Sequence, residues 1–310
     1  MTFASFVQHA WNEDREAFRN FMNFDRTWCE ELGSEDSNGR TLWALGHTVE
    51  NAPDADLRAW ARRWFDHALP HCAALASPRT IAFNMLGAAA VMRTDPSHRA
   101  AQAMLAEGGK MLCHLLEHSR RPDWAWFEAV LGYDNPRLAQ ALIEAGEALG
   151  EQAFVAAGIE TLAWIAERQL ATSGHFRPIG SDSFGKRHSH LPFDQQPLEA
   201  HAAIDAARAA VGATGDARWF EHATAAWEWF FGANDRGVVL ADLATGRCRD
   251  GINPRGANLN CGAESILAFQ LAHYSLIALA RARQRDSISE SKGEHVGDRE
   301  RLAEQSAAHP

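Results

Sequence analysis

The sequence predicts an all-α protein, a double-layered α/α barrel of the six-hairpin toroid type. Three observations carry that prediction. Helical segments that are apolar nearly all round alternate with segments that carry one apolar stripe. The first kind must be covered on both sides and the second on one, so alternation sorts them into an inner and an outer ring. Each inner segment is also preceded by a cluster of hydrogen-bonding residues, which places all the clusters at one end, the mouth. A stacked α-solenoid is the structural alternative. Its repeats are nearer ~34–47 residues, whereas the junctions here recur unevenly, at ~40–65.

Taken in order, residues 3–11 read as a helix with Phe3, Phe6, Val7 and Trp11. Residues 12–39 interleave Phe18, Phe21, Phe24 and Trp28 with polar groups and read as a long structured loop with short strands. The run Gly33-Ser34-Glu35-Asp36-Ser37-Asn38-Gly39-Arg40 leads into Thr41-Leu42-Trp43-Ala44-Leu45-Gly46, the first inner helix at 40–50. Pro53-Asp54 opens a one-striped helix through Leu57, Trp60, Ala61, Trp64, Phe65, Ala68 and Leu69. Ser77-Pro78-Arg79 opens the inner helix 81–91, with an N-cap residue before Pro at the first helical position. An amphipathic helix at 97–118 follows, through Leu105, Met111, Leu112, Leu115 and Leu116.

Tyr133-Asp134-Asn135-Pro136-Arg137 repeats the cap-Pro signal before 138–149, and an amphipathic helix through Phe154, Val155, Leu162 and Ile165 covers it. Phe193-Asp194-Gln195-Gln196-Pro197-Leu198-Glu199 opens 200–211, covered by a helix through Trp219, Phe220, Trp227 and Phe231. Asn258-Leu259-Asn260-Cys261-Gly262-Ala263-Glu264 opens the last inner helix, 265–280. Gly46, Gly87 and Gly262 mark close helix–helix approach. Residues 174–191 carry His175, His188 and His190 and read as a long loop over the mouth. Residues 238–250 read as a β-hairpin. Residues 285–310 are charged and nearly free of large apolar groups, so a disordered tail is expected after a single domain at 1–284.

A net charge of −10 argues against nucleic acid or an anionic membrane as the main partner. The five cysteines are odd in number and lack zinc spacing, which fits a reduced, cytoplasmic chain. No apolar signal segment follows Met1, and no apolar run reaches the length of a membrane span. His188-Ser189-His190 has no further ligand at metal-binding spacing, so no metal is expected. No Gly-rich phosphate loop and no Ser–His–Asp order stands out. A nucleotide-sugar transferase core and a bound cofactor are therefore not expected. Eleven Trp against two Tyr is a biased choice of aromatic. Core packing is the ordinary reading, and a sugar site lined by some of the indole faces is the sharper one.

The motif set resembles one bacterial family. It consists of Arg19-Asn20-Phe21-Met22, Gly33-Ser34-Glu35-Asp36 with Gly39-Arg40 and Leu42-Trp43-Ala44-Leu45-Gly46, Tyr133-Asp134-Asn135 with Arg137, Phe193-Asp194-Gln195-Gln196-Pro197, and Asn260 with Gly262-Ala263-Glu264-Ser265. That family is helical and (α/α)6-barrel-like. Its members occur alone or fused behind glycosyltransferase domains and often carry a glycosyltransferase label. The resemblance covers residues 3–284 and implies carbohydrate metabolism, with a sugar or oligosaccharide as ligand and a glycosyltransferase as partner. Such families open with a further hairpin bearing a Gly-Tyr-Cys-x-Asp-Asp-like cluster, and nothing like it precedes Thr2. The ring is therefore expected to be incomplete, with end helices whose apolar flanks favour self-association.

Chemistry at a sugar acetal needs a carboxyl acid and often a second carboxylate. The mouth offers Glu35, Asp36, Glu128, Asp134, Asp194, Glu199, Asp235 and Glu264. Asp36, Asp134, Asp194 and Glu264 are the first choices for catalysis. For the three Asp, helix capping is the structural alternative. Glu199 and Glu264 stand one turn inside apolar helices, where Glu is rare unless paired. Arg40, Arg79 or Arg137 from a neighbouring helix would pair with them, or a ligand would. Desolvation is expected to raise the pKa of Glu199 if no Arg does so. Asn135, Gln195, Gln196 and Asn260 supply hydroxyl contacts. Trp124 and Trp126 alternate on an extended stretch, as a sugar platform or as packing at the rim. A general-acid histidine from the long loop is a minority reading.

Overall fold

The computed structural model describes residues 2–284, and ten α-helices among them make the fold. They are α1 (Thr2–Ala10), α2 (Glu35–Asn51), α3 (Ala55–Ala73), α4 (Pro78–Thr94), α5 (Arg99–Ser119), α6 (Pro136–Leu149), α7 (Gln152–Arg168), α8 (Pro197–Thr214), α9 (Ala217–Glu228) and α10 (Ala263–Gln284). The tail expected at 285–310 lies outside the described residues.

The alternation read from the sequence is the architecture. Helices α4, α6 and α8 are buried almost all round. They pack side by side with α2 in the order α2–α4–α6–α8, while α3, α5, α7 and α9 each cover the inner helix before them. Helix α10 continues the ring, since Ser275 on it donates to Asp205 on α8. Its Phe269 stacks on Trp227 of α9 with ring centroids 5.5 Å apart. Because each inner helix returns through its outer partner, the inner helices all begin at one end. Helix α1 lies on the outer side, where Trp60 of α3 donates to Gln8. Gly46 and Gly87 are the crossing point of α2 and α4: a Cβ on Gly46 would stand 2.2 Å from the Gly87 carbonyl oxygen.

Helix starts differ from the sequence reading in instructive ways. Helix α2 begins at Glu35, because Ser34 caps it by accepting from the Ser37 N–H at 3.1 Å. The polar cluster thus forms its first turns rather than preceding it. Ser77 and Asn135 occupy the N-cap positions of α4 and α6, but neither side chain makes a capping bond. Asn135 instead exchanges hydrogen bonds with Gly132 and accepts from Arg79. Helix α10 runs from Ala263 to Gln284, longer than the expected 265–280. By length and composition alone it would pass for a membrane span, a weak signal that the core helix of a soluble protein also gives.

Three two-stranded hairpins complete the fold: β1 (Trp11–Asn12) with β2 (Ala17–Phe18), β3 (Ala241–Asp242) with β4 (Arg247–Cys248), and β5 (Gly251–Asn253) with β6 (Gly256–Asn258). The third was not legible in sequence. Gly251 makes it possible: its φ is +139°, and a Cβ there would stand 2.0 Å from the Gln195 carbonyl oxygen. That close approach lets Ile252 bridge to Gln195 and sets the hairpin against the start of α8.

Candidate functional site

The polar clusters do meet at one end, but they divide into a buried belt and an open pocket. In the belt, Arg40 of α2 bonds Asp36 at 3.0 Å and Asp134 at 2.9 Å. Arg137 of α6 reaches Asp134 at 3.2 Å, Gln140 at 2.8 Å, Asp205 at 2.5 Å and His201 at 3.0 Å. Asp134 (φ +54°), Arg137 and Glu199 are each 0% exposed. Asp205 is pushed up by burial, but His201 and Arg137 outweigh this and hold its carboxyl well below the usual range. Tyr133 donates to Asp36 at 2.6 Å, and burial together with that carboxylate raises the phenol pKa.

Glu199 found no arginine. Its Oε1 accepts from the Asp134 N–H, and its Oε2 has no partner. Desolvation, reinforced by the Asp134 carboxylate, pushes its pKa up to about 8, as the sequence reading expected for an unpaired Glu199. Other candidates hold the scaffold together. Glu35 accepts from the N–H groups of Ala76 and Ser77 at 3.1 and 2.7 Å. Arg79 donates to Glu128 at 2.7 Å, Asn135 at 3.1 Å and the Tyr133 carbonyl.

The open pocket, about 330 Å³, lies between the starts of α8 and α10 and is walled by β5 and β6. Asp194, Gln195, Gln196 and Glu264 line it, with Ser181, Asp250 and Asn258. Asp194 and Glu264 are exposed, and neither carboxylate has a hydrogen bond or ion pair among the described residues. Glu264 is the second residue of α10, not one turn inside it, which is why it escapes the burial expected of it. Gln195 is buried beneath the pocket, accepting from Trp229 at 2.8 Å and donating to Asp235. Asp235 is itself paired with Arg177 and His175.

Asp250 escaped sequence reading because it ends a segment read only as a hairpin. It accepts from the Gly262 N–H at 2.6 Å and from Asn260. Desolvation opposes ionisation, but these bonds and one from Ser265 hold its pKa below the ordinary value. It thereby ties the β4–β5 turn to the start of α10 and places Glu264 at the rim.

Trp124 and Trp126 are not an open platform. They are 4% and 0% exposed and pack on Trp164 with centroids 4.9 and 5.6 Å away. The Trp124 N–H is used by the Glu128 carbonyl. Apolar burial won over alternation here, because α7 presents Trp164 to the same stretch. Ser181, from the expected long loop, does reach the mouth, where its N–H donates to the Asp194 carbonyl.

Below the mouth lies the lumen of the ring, a cavity of about 820 Å³. All five inner helices line it, through Arg40, Trp43 and His47 of α2, Arg93 of α4, Gln140 and Glu144 of α6, His201, Asp205 and Arg208 of α8, and Leu271, Tyr274 and Ser275 of α10. Sequence reading missed His201, Asp205 and Arg208. The signal was present, since they interrupt an otherwise apolar inner helix.

No protein-family model matches the chain, and no curated protein matches it in sequence. Solved structures match its fold. A cellobiose 2-epimerase from Spirochaeta thermophila superposes with a TM-score of 0.62 at 14% identity, over 89% of this chain and 78% of the epimerase. A D-mannose isomerase gives 0.60 at 14% identity, over 93% and 85%. An unsaturated glucuronyl hydrolase specific for heparin gives 0.52 at 14% identity, over 74% of this chain and just 66% of the hydrolase. At these identities the likeness is one of fold, the α/α toroid.

Proposed function

We propose that the chain is a carbohydrate-active protein that binds a sugar or oligosaccharide at its mouth and acts on a glycosidic or hemiacetal centre. One observation carries this reading: two carboxylates without partners, Asp194 and Glu264, face one polar pocket where the inner helices begin. The pocket supplies what sugar recognition needs, hydroxyl-binding side chains in Gln196, Asn258 and Asp250 around two carboxyl groups. Asp194 and Glu264 take the acid and base roles. Asp36 and Asp134, with Arg40 and Arg137, position the mouth by locking α2, α6 and α8 together. The three structural neighbours, an unsaturated glucuronyl hydrolase specific for heparin, a cellobiose 2-epimerase and a D-mannose isomerase, support the same class. The five cysteines are all free, which supports a reducing compartment.

A second reading is a non-catalytic glycan-binding module that works beside a glycosyltransferase. It is favoured by the number of mouth carboxylates already tied into the scaffold: Glu35, Asp36, Glu128, Asp134 and Glu199. Incubation with a panel of oligosaccharides, with and without phosphate, separates the two. Turnover at saturating sugar that falls by more than ~10²-fold in Asp194→Asn and Glu264→Gln, well beyond their loss of affinity, supports catalysis. Saturable binding without turnover supports the module. Neither binding nor turnover with any sugar removes both.

A further inference from the structure

The lumen is separate from the rim pocket, and the two have opposite residual charge. They share no lining residue. In the rim pocket the groups left without partners are carboxylates. In the lumen both lining carboxylates are already satisfied. Glu144 accepts from Arg93 at 3.1 Å and from Gln140 at 2.7 Å. Asp205 accepts from Arg137, His201 and Ser275. Of the lining arginines, Arg40 and Arg93 are also paired. Arg208 is not. It forms no hydrogen bond or ion pair among the described residues, and its Nε is buried without a partner. A guanidinium held at the wall of a cavity with its fork unfilled is suited to bidentate recognition of a carboxylate or phosphate.

We infer that the lumen is a second binding site, which takes a sugar bearing an anionic group, with that group on Arg208. The ligand class rests on the carbohydrate reading above, but the site does not depend on Asp194 or Glu264. Arg208 lies twelve residues along α8 from Gln196 of the rim pocket, ~18 Å at the rise of an α-helix. A single monosaccharide cannot span that distance, so the two sites can be filled and tested independently. Leu271 and Tyr274 provide the apolar side of the same cavity. A uronate carboxylate and a sugar phosphate would present the same chemistry to Arg208.

The test is titration calorimetry with glucose, glucuronate and glucose 6-phosphate against the wild type, Arg208→Gln, Arg208→Lys and the Asp194→Asn/Glu264→Gln double variant. The wild type is expected to bind at least one anionic sugar ~10-fold or more tightly than glucose, with an advantage that shrinks as salt is raised. Glucuronate as the tighter ligand identifies a carboxylate, and glucose 6-phosphate identifies a phosphate; either supports the site. Arg208→Gln should abolish the advantage, Arg208→Lys should keep part of it, and the double variant should keep it whole. Equal binding of glucose and both anionic sugars would overturn the inference, as would an anionic advantage that survives in a folded Arg208→Gln. Loss of the advantage in the double variant would also overturn it, by returning the anion to the rim pocket. Failure of the rim-pocket reading appears elsewhere, as neutral oligosaccharide binding that ignores Asp194 and Glu264.

Discussion

Replacing Glu199 with Gln should change the pH dependence of stability more than stability itself. Glu199 is fully buried, its Oε1 holds the Asp134 N–H, and its folded-state pKa is about 8 against an ordinary 4.5. The folded state therefore keeps a proton that the unfolded chain loses above pH 4.5. Stability from this group is fully present below pH 4.5 and is lost as pH rises through about 8. At ~1.4 kcal/mol per pKa unit the complete loss is at most about 5 kcal/mol. Glutamine keeps the acceptor oxygen and has no proton to lose. In urea melts, the stability of Glu199→Gln relative to wild type should grow by about 3 kcal/mol between pH 5.5 and pH 9 and level off above pH 8. A difference that stays constant across that range would refute the reasoning, because it would mean Glu199 is ionised in the fold.

Other perturbations follow from the same geometry. Arg137→Met removes the arginine shared by the buried carboxylates of Asp134 and Asp205, leaving them Arg40 and His201, and should cost about 3 kcal/mol in urea melts. Adding Asp205→Asn should recover part of that loss. Gly46→Ala drives a Cβ into the Gly87 carbonyl and should destabilise by more than ~3 kcal/mol, whereas Gly212→Ala, with nothing nearer than 3.9 Å, should be neutral or slightly stabilising in thermal melts. On the two end helices Leu267 of α10 is 59% exposed, and Phe3 and Phe6 of α1 are 89% and 47% exposed. Light scattering at tens of micromolar should therefore report self-association, and a monodisperse monomer counts against it.

The ring was legible because all-round apolar segments such as 81–91 admit only one placement, between two layers. The glycines at 46 and 87 announced their crossing for the same reason: no side chain fits there. The mouth was legible as a location, since every cluster stands at the start of an inner helix. What sequence could not separate was which polar groups serve the scaffold and which remain free. Asp134 and Asp194 both lie just before the N-caps of α6 and α8, yet one is enclosed by Arg40 and Arg137 and the other is open. That difference depends on partners 94 residues away in the case of Arg40 and Asp134, a separation that local pattern does not encode. The β5–β6 wall and Asp250 were missed for a similar reason, because their role comes from contact with the starts of α8 and α10. The Trp pair misled because alternation describes a strand's two faces but not which neighbour covers them.

The central claim is that sugars bind at the rim pocket through Asp194 and Glu264. Calorimetric titration of neutral oligosaccharides into wild type and the Asp194→Asn/Glu264→Gln double variant tests it most directly. The account predicts saturable binding to the wild type that weakens at least ~10-fold in a double variant of unchanged thermal stability, since hydrogen bonds to charged groups contribute ~1.5–3 kcal/mol each. Absence of binding by any neutral sugar, or equal affinity in the two proteins, would contradict it.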